Sequence, residues 1–259
     1  MDNRKIILTD LDGTFVKDSH SVSKADLKAF NDLSKNYILG IATGRSIKEI
    51  NYLEKENNIL ADIKVGFNGS IITGFDDEVL VDEPLNPKDL NAILEYLKAN
   101  HVIFDALDGI KRVGSYHASD KKRLWGMDMV TLDDPYDAVS KMNVYKINAR
   151  PGDRFDEIFD DLVEMFPELS IYEGGTQQRI EISAEGCSKG TAVDAIRDRY
   201  KRQIIVVGDS GNDAPMFERA DESFCIAHAD SSVKNKADYH IDNFADITKY
   251  LNAHYDEVI

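Results

Sequence analysis

At both ends of the chain, short apolar runs alternate with longer stretches of helical periodicity. Near the N-terminus the apolar runs lie at residues 5–10, 37–42 and 63–67. Continuous runs of this length are typical of strands that are buried on both faces of a parallel sheet. Helices are predicted between them at residues 23–35 and 47–56, where apolar residues recur every three or four positions. The pattern of this part therefore predicts βαβ units.

Between residues 83 and 184 the strand signals lie closer together. They are found at residues 102–107, 111–117, 143–148, 169–173 and 178–183. Helices are predicted after Asn86-Pro87 and at residues 119–126, 135–141 and 153–166. Strands that are separated by hairpin-like turns, with few helices, predict an α+β unit with a largely antiparallel sheet.

After Gly186 the βαβ pattern returns. Strands are predicted at residues 203–207 and 223–227, and helices at residues 189–200, 212–219, 231–237 and 244–251. We therefore predict an α/β fold with a doubly wound, Rossmann-like parallel-sheet core. Residues 1–82 and 185–259 would form this core, and residues 83–184 would be an inserted α+β domain.

The composition narrows the class of protein and of partner. The 259 residues are 42% hydrophobic and 30% charged, as in a soluble globular protein. The net charge of −16 argues against binding to nucleic acid or to an anionic membrane. No stretch approaches the roughly 20 apolar residues that cross a bilayer, and the first residues lack a secretory signal pattern. The two cysteines, Cys187 and Cys225, form no disulfide framework, so we expect a cytoplasmic protein. We further expect the protein to be a monomer or a homodimer.

Four polar clusters lie at predicted ends of strands or starts of helices in the core. In chain order they are Asp10-Leu11-Asp12-Gly13-Thr14, Thr43-Gly44-Arg45, Ser188-Lys189-Gly190 and Gly208-Asp209-Ser210-Gly211-Asn212-Asp213. Because the carboxyl ends of parallel strands share one edge of a sheet, we expect these clusters to meet there.

The residue types in these clusters suit phosphoryl transfer to or from a small phosphorylated metabolite. Mg²⁺ prefers oxygen ligands, which Asp10, Asp209 and Asp213 offer. Lys189 adds a positive charge for a phosphate, and Thr43 adds a hydroxyl donor. Backbone N–H groups of the glycine turns at residues 12–13 and 43–44 can bind further phosphate oxygens, and the N–H of Gly44 is one of them.

The spacing of the first two aspartates predicts two different tasks. Asp10 lies at the end of its strand, where its carboxylate can attack phosphorus and form an aspartyl-phosphate. Asp12 lies two residues further on. Its carboxyl can protonate the leaving alkoxide and then deprotonate the attacking water.

The four clusters resemble the sequence motifs of the haloacid dehalogenase-like superfamily. The position of the insert, after Phe67-Asn68-Gly69, resembles the Cof-type phosphatases with a C2 (C2B-like) cap, which is a substrate-selecting lid. The resemblance implies a Mg²⁺ site formed by Asp10, the main-chain carbonyl of Asp12 and Asp209. It also implies that Asn212 contacts the phosphate or orients Asp209, and that Asp213 supports Lys189 or the water shell of the metal.

These features predict a Mg²⁺-dependent phosphatase that acts on a small phosphomonoester, such as a sugar phosphate. Three alternatives stay open: a phosphomutase, a sugar-phosphate-binding pseudoenzyme, and a phospho-switch of the receiver type. A receiver domain is about half this length and lacks a second carboxylate two residues after the nucleophile. Intact Asp10, Asp12, Lys189 and Asp209 argue against a pseudoenzyme.

Several further side chains are weaker candidates. They are Arg45, which can steady the active-site loop, and, within the insert, Lys111, Arg112, His117, Lys121, Lys122, Arg123, Trp125, Lys146, Glu173, Gly174, Gly175 and Arg179. Charged runs are usually solvated and aromatic residues usually pack, so no single one of these is assigned a role.

Overall fold

The computed structural model describes residues 4–17, 21–118, 124–174 and 178–255. The chain divides into two compact units. The first comprises Met1–Gly44, Ile50–Val81 and Ser188–Ile259, and the second comprises Arg45–Glu49 and Asp82–Cys187. Across the described residues no helix has the length and apolar content that a membrane span requires.

The strands of the described ranges are, in chain order, β1 (Ile6–Thr9), β2 (Ile38–Ala42), β3 (Ile63–Gly66), β4 (Ile71–Thr73), β5 (Val79–Asp82), β6 (Ile103–Leu107), β7 (Lys111–Gly114), β8 (Asp128–Thr131), β9 (Lys146–Arg150), β10 (Leu169–Gly174), β11 (Arg179–Glu185), β12 (Ile204–Gly208), β13 (Glu222–Ile226) and β14 (Tyr239–Ile241). The α-helices are α1 (Lys24–Leu33), α2 (Ile47–Asn57), α3 (Pro87–Ala99), α4 (Tyr136–Val139), α5 (Phe155–Met165), α6 (Lys189–Tyr200), α7 (Ala214–Phe217), α8 (Ser231–Lys234) and α9 (Ile247–Tyr255).

The first unit is built on a sheet with the strand order β14-β13-β12-β1-β2-β3-β4-β5. From β14 to β3 all neighbours run parallel, and β4 pairs antiparallel with β3. Every residue of β1, β2, β3 and β12 is buried, as the continuous apolar runs require. The predicted doubly wound α/β class is confirmed.

The topology of this sheet reverses direction at its centre. From β1 the chain moves outward through β2 and β3 on one side, and from β12 it moves outward through β13 and β14 on the other. The boundary between β1 and β12 is therefore the topological switch point, where ligands of doubly wound folds bind.

The second unit is built on a sheet with the order β10-β11-β9-β6-β7-β8. Its pairs are antiparallel, as predicted, except for the parallel pair β7–β8. Aliphatic residues of α3 and α5 pack with one face of the sheet to form its apolar core. Asn86 caps α3 by accepting a hydrogen bond from the Asp89 N–H at 2.9 Å, and Pro87 follows as the first helical residue.

The secondary structure differs from the sequence prediction in its shortest elements. The apolar runs at residues 71–72 and 79–81, on either side of Gly74, predict the hairpin-like strands β4 and β5. Strands β8 and β14 were not predicted, because β8 has no regular apolar alternation and β14 depends on its pairing with β13. The helices predicted at 135–141, 212–219 and 231–237 are single turns of four residues. For the helix predicted at 119–126, residues 119–123 lie outside the described ranges, and the remainder is a turn.

Two of the weaker candidates have structural roles within the second unit. The guanidinium carbon of Arg45 lies 3.5 Å from the centre of the buried Trp125 ring, an arrangement typical of a cation–π contact.

Four other weaker candidates lie outside the described residues. They are Lys121, Lys122, Arg123 and Gly175.

Candidate active site

Three of the four polar clusters begin where a central parallel strand ends. Asp10 follows β1, and its N–H donates to the Val207 carbonyl of β12 at 2.8 Å. Thr43 follows β2, and Asp209 follows β12. Because β1 is paired in parallel with both β2 and β12, these three residues leave the sheet at the same edge, beside the switch point.

The fourth cluster contributes a buried lysine that joins two aspartates. Lys189 Nζ lies 2.5 Å from Asp10 Oδ1 and 2.6 Å from Asp213 Oδ1. Its side chain is fully buried. Lys189 is the first residue of α6, and the helix start is fixed by Ser188, whose hydroxyl accepts from the Thr191 N–H at 3.0 Å.

The charges of this group depend on one another. Burial opposes the charge of Lys189, but the carboxylates of Asp10 and Asp213 outweigh it and hold the pKa of the ammonium group above its ordinary value. Burial raises the pKa of Asp10 well above its ordinary value, although Lys189 acts in the opposite direction. Asp213 and Asp209 raise it further. The group therefore holds more carboxylates than its one lysine can balance.

Asp213 is a positioning residue for the loop after β12. Its Oδ2 accepts hydrogen bonds from the N–H groups of Asp209 and Ser210, both at 2.9 Å. Gly208 allows this approach, since a Cβ at that position would lie 2.5 Å from Asp213 Cγ. The loop is therefore bound to the same carboxylate that holds Lys189.

Asp209 is held by two residues whose roles were not predicted. Thr14 Oγ1 donates to Asp209 Oδ1 at 2.6 Å, and His228 Nε2 lies 3.1 Å from Asp209 Oδ2. Gly13 leaves room for this carboxylate, because a Cβ there would lie 2.2 Å from Oδ2, and its φ of +96° favours glycine. Thr14 was visible as part of the first cluster. His228 gave no signal, because an isolated histidine after a strand has no diagnostic pattern.

A second chain of hydrogen bonds links Thr43 to the loop after β12. The Thr43 carbonyl accepts from the Asn68 N–H at 2.9 Å, and Asn68 Oδ1 accepts from Asn212 Nδ2 at 3.1 Å. Asn212 Oδ1 in turn accepts from Ser210 Oγ at 2.6 Å. The Asn-Gly turn at 68–69 was the sequence signal for Asn68, which has a positive φ of 57° and is buried. Thr43 and Asn212 thus belong to one network with the Asp213 loop.

The remaining predicted residues lie beside this network. Asp12 is exposed and lies two residues after the buried Asp10. The N–H of the next residue, Gly13, donates to the Val16 carbonyl at 2.8 Å. Gly44 is half-buried directly after Thr43. The exposed side chain of Asp12 is able to exchange protons with a ligand or with water.

The carboxylates of the site fit a divalent cation. Oxygen atoms of Asp10, Asp209 and Asp213 lie within 4.8 Å of one another. Asp10 Oδ2 is buried and has no hydrogen-bond partner among the described residues. Asp213 already accepts several hydrogen bonds, so Asp10 and Asp209 are the stronger candidates for metal ligands. A hard cation would supply the charge that these carboxylates lack.

Comparisons with known proteins agree with this arrangement. Residues 7–249 match the family model of haloacid dehalogenase-like hydrolases. An uncharacterized protein of Mycoplasma capricolum is 27% identical, with 94% of this chain and 98% of that protein covered. The 5-amino-6-(5-phospho-D-ribitylamino)uracil phosphatase of Bacillus subtilis is 24% identical, with 91% of this chain and 88% of that protein covered. A crystal structure of a Thermotoga maritima protein is 26% identical, with 92% and 91% of the two chains covered and a TM-score of 0.78.

Proposed function

The chain belongs to the haloacid dehalogenase-like hydrolases and is a phosphatase, and we propose that it hydrolyses a small phosphomonoester, such as a sugar phosphate, through an aspartyl-phosphate. The observation that carries the proposal is the buried Asp10 carboxylate at the switch point, with one oxygen held by Lys189 and the other without a hydrogen-bond partner in the described residues. Similarity to a Bacillus subtilis phosphatase over nine-tenths of the chain supports the class of reaction.

Asp10 is the nucleophile in this proposal. Its carboxylate attacks phosphorus, and a bond to the carboxylate oxygen forms while the bond from phosphorus to the ester oxygen breaks. Asp12 donates its proton to the leaving alkoxide. Asp12 then takes a proton from the water that attacks the aspartyl-phosphate, which releases inorganic phosphate and restores Asp10.

The positive charges and N–H donors around Asp10 bind the phosphate. Lys189 contributes its ammonium group and Thr43 its hydroxyl. Asn68 Nδ2 is buried and finds no acceptor in the described part of the chain, so we assign it to a phosphate oxygen. Asn212, which was predicted to contact the phosphate or to orient Asp209, holds Asn68 in place by donating to Asn68 Oδ1. Backbone N–H groups of the two glycine turns, at Gly13 and Gly44, complete the set.

Asp10, Asp209 and the main-chain carbonyl of Asp12 would hold Mg²⁺, with Asp213 in support. When bound, the ion neutralises charge between the Asp10 carboxylate and the phosphate dianion. Thr14 and His228 keep Asp209 oriented for this task.

The second unit selects the leaving group in this proposal. In the sequence prediction this role belongs to an insert at residues 83–184, between core segments at 1–82 and 185–259. Exclusion of bulk water by an inserted domain would strengthen the electrostatic interactions between the site and the phosphate.

Hydrolysis of p-nitrophenyl phosphate tests the reaction and its metal dependence. We expect phosphate release with Mg²⁺ and its loss in EDTA, with recovery when Mg²⁺ is restored. In Asp209→Asn the Mg²⁺ concentration for half-maximal activity should rise about tenfold or more, because one anionic ligand is lost. Undiminished activity in EDTA would refute the metal requirement.

Asp12→Asn tests the proton transfer. An aryl leaving group needs little protonation, whereas an alkoxide needs a full proton. We therefore expect the rate of hydrolysis of glycerol 3-phosphate, an alkyl phosphate, to fall by about 10²–10⁴-fold. For p-nitrophenyl phosphate, the rate of the first step, which is phosphoryl transfer to Asp10, should fall less. The release of p-nitrophenol in a rapid burst would report accumulation of the phosphorylated enzyme. Equal losses for the two esters without a burst would contradict the assignment of Asp12.

A further inference from the structure

The turn at residues 67–69 holds a buried polar side chain on an unusual stretch of backbone. Phe67, Asn68 and Gly69 have positive φ values of 49°, 57° and 113°. For residues other than glycine this conformation is unfavourable, and it persists only where the surroundings fix it. The side chain at its centre belongs to Asn68, which is 1% exposed. Strained backbone of this kind is common where a fold positions a side chain for function.

Two contacts within the first unit fix this turn. The Asn68 N–H donates to the Thr43 carbonyl at 2.9 Å. Gly69 packs closely against the residue that precedes Lys189, because a Cβ at Gly69 would lie 2.6 Å from the Ser188 carbonyl oxygen. The turn is therefore joined to the two places that supply the hydroxyl and the ammonium group for the phosphate.

The backbone of Asn68 is fixed in this way, but the orientation of its carboxamide depends on its hydrogen-bond partner. The two ends of an asparagine amide have nearly the same shape, although one is an acceptor and the other a donor. Asn212 Nδ2 donates to Asn68 Oδ1 at 3.1 Å. The other end, Asn68 Nδ2, is buried and finds no acceptor among the described residues. The partner thus determines that Asn68 offers a donor rather than an acceptor.

Ser210 in turn sets the orientation of Asn212. Ser210 Oγ donates to Asn212 Oδ1 at 2.6 Å and lies farther, at 3.1 Å, from Asp213 Oδ2. That oxygen of Asp213 already accepts from the N–H groups of Asp209 and Ser210. The hydroxyl proton is therefore directed to Asn212, whose NH₂ group must then face Asn68. We refer to Ser210, Asn212 and Asn68 as the amide relay.

The opposite orientation of the amide relay would act against an anion. If the Ser210 hydroxyl donated to Asp213, Asn212 could turn its NH₂ group towards Ser210. The oxygen of Asn212 would then accept from Asn68, and Asn68 would present its own carbonyl oxygen to the site. A carbonyl oxygen has no proton to donate and repels a phosphate oxygen. The observed orientation is the one that suits an anionic ligand.

We propose that Ser210 and Asn212 are positioning residues, which turn the Asn68 carboxamide so that its NH₂ group donates to the phosphate. This inference rests on the proposed phosphatase function, and it adds a way in which the loop after β12 acts on the phosphate without holding the metal. A phosphate oxygen satisfies the buried donor of Asn68. A hydrogen bond to a charged group of this kind is stronger than one between neutral groups.

The binding of inorganic phosphate to the full chain with Mg²⁺, measured by titration calorimetry, tests the amide relay. Asn68→Gly removes the donor while glycine accepts the positive φ, and it should raise the Kd for phosphate about tenfold. Ser210→Ala should raise this Kd about threefold, because the orientation of the relay is no longer enforced. Ser210→Thr keeps the hydroxyl and should bind phosphate as the wild type does.

Double variants show whether Ser210 acts through Asn68. In the Asn68→Gly background, Ser210→Ala should cause no further loss of phosphate affinity, because the carboxamide that it orients is absent. The Asn212→Ala background should hide the effect of Ser210→Ala in the same way, since it breaks the relay and leaves the strained turn intact. Ser34→Ala, which removes a hydroxyl that donates to the Asn31 carbonyl at 2.9 Å in the first unit, is the matched control. It should leave the Kd unchanged.

The affinity for Mg²⁺ separates this role from support of the metal ligand. Ser210→Ala leaves the contacts of Asp209 with Thr14 and His228 in place. The Kd for Mg²⁺ without phosphate, also measured by calorimetry, should therefore be the same in Ser210→Ala and in the wild type. A parallel loss of Mg²⁺ affinity would show that Ser210 acts through Asp209, and it would overturn the inference.

The remaining outcomes separate the inference from the proposed function. If Ser210→Ala bound phosphate as tightly as the wild type, or if its loss of affinity persisted in both backgrounds, the inference would be wrong. Hydrolysis of p-nitrophenyl phosphate by the wild type would leave the proposed function standing in either case. If the wild type with Mg²⁺ neither bound phosphate nor hydrolysed that ester, the proposed function would be wrong, and the inference with it.

Discussion

Asp10→Asn should lower phosphate release by at least about 10⁴-fold while the protein stays folded. The amide lacks the negative charge and nucleophilicity of the carboxylate, and removal of a nucleophile typically costs this much or more in kcat. Its carbonyl oxygen still accepts from Lys189, which lies 2.5 Å from Oδ1 in the wild type. The variant therefore removes the reacting group and keeps the geometry around it.

The stability of the same variant distinguishes a catalytic from a structural role. Burial, Asp213 and Asp209 all raise the pKa of Asp10, so its charged form is disfavoured in the metal-free protein. A raised pKa means that the Asp10 charge destabilises the fold above the ordinary pKa of an aspartate. Without metal, Asp10→Asn should thus be at least as stable as the wild type near neutral pH, as measured by thermal unfolding.

The control for this variant is Asp198→Asn, which neutralises an exposed aspartate paired with Lys201 at 3.2 Å. It should retain wild-type activity and stability, because exposed ion pairs contribute little. If Asp10→Asn hydrolysed p-nitrophenyl phosphate as fast as Asp198→Asn, Asp10 would not be the nucleophile.

The architecture around Asp10 could be predicted because its signals are local. A continuous apolar run, followed by aspartates and a glycine, indicates a buried parallel strand that ends in a polar turn. Three such strand ends, after β1, β2 and β12, were enough to predict a doubly wound sheet. Strand β14 escaped prediction, because it gains its stability from pairing with β13 rather than from its own sequence.

The contacts within the candidate site could not be predicted in the same way. Lys189 is 179 residues from Asp10 in the sequence, and its contact with Asp213 was expected only from the family resemblance and not from any local pattern. The support of Asp209 by His228 depends on a loop position that the sequence does not encode locally. The sheet of the second unit shows the same limit, because only its register reveals that Asn148 lies opposite both Asp105 and Glu181.

Lys189→Met should abolish activity and destabilise the protein, for one shared reason. The buried ammonium group holds Asp10 and Asp213 together, at 2.5 and 2.6 Å. Methionine has a similar volume but no charge, so both carboxylates would stay buried without their cation. Breaking a buried pair in this way costs about 3–5 kcal/mol of unfolding free energy. Loss of a phosphate-binding charge next to the nucleophile should lower kcat/KM by about 10³-fold or more.

The pH dependence of this destabilisation identifies its cause. In the wild type the pKa of Lys189 is raised, so its stabilising effect is complete below the ordinary lysine pKa and is lost only as the pH rises through the higher folded-state value. In Lys189→Met the carboxylates of Asp10 and Asp213 lose their cation, and the pKa of Asp10, which burial already raises, should rise further. The loss of stability should therefore be large at pH 8 and smaller at pH 5, where Asp10 is more readily protonated.

A second substitution separates stability from catalysis. In Lys189→Met/Asp213→Asn one of the two unpaired charges is removed, so stability should recover in part. Activity should not recover, because Asp213→Asn does not restore the ammonium group or its positive charge, which binds the phosphate. Lys201→Met, which removes a lysine that is 74% exposed, is the matched control and should change neither property. Chemical denaturation of the four proteins at pH 5 and pH 8 would test this. A double variant no more stable than Lys189→Met would show that charge burial is not what Lys189 relieves.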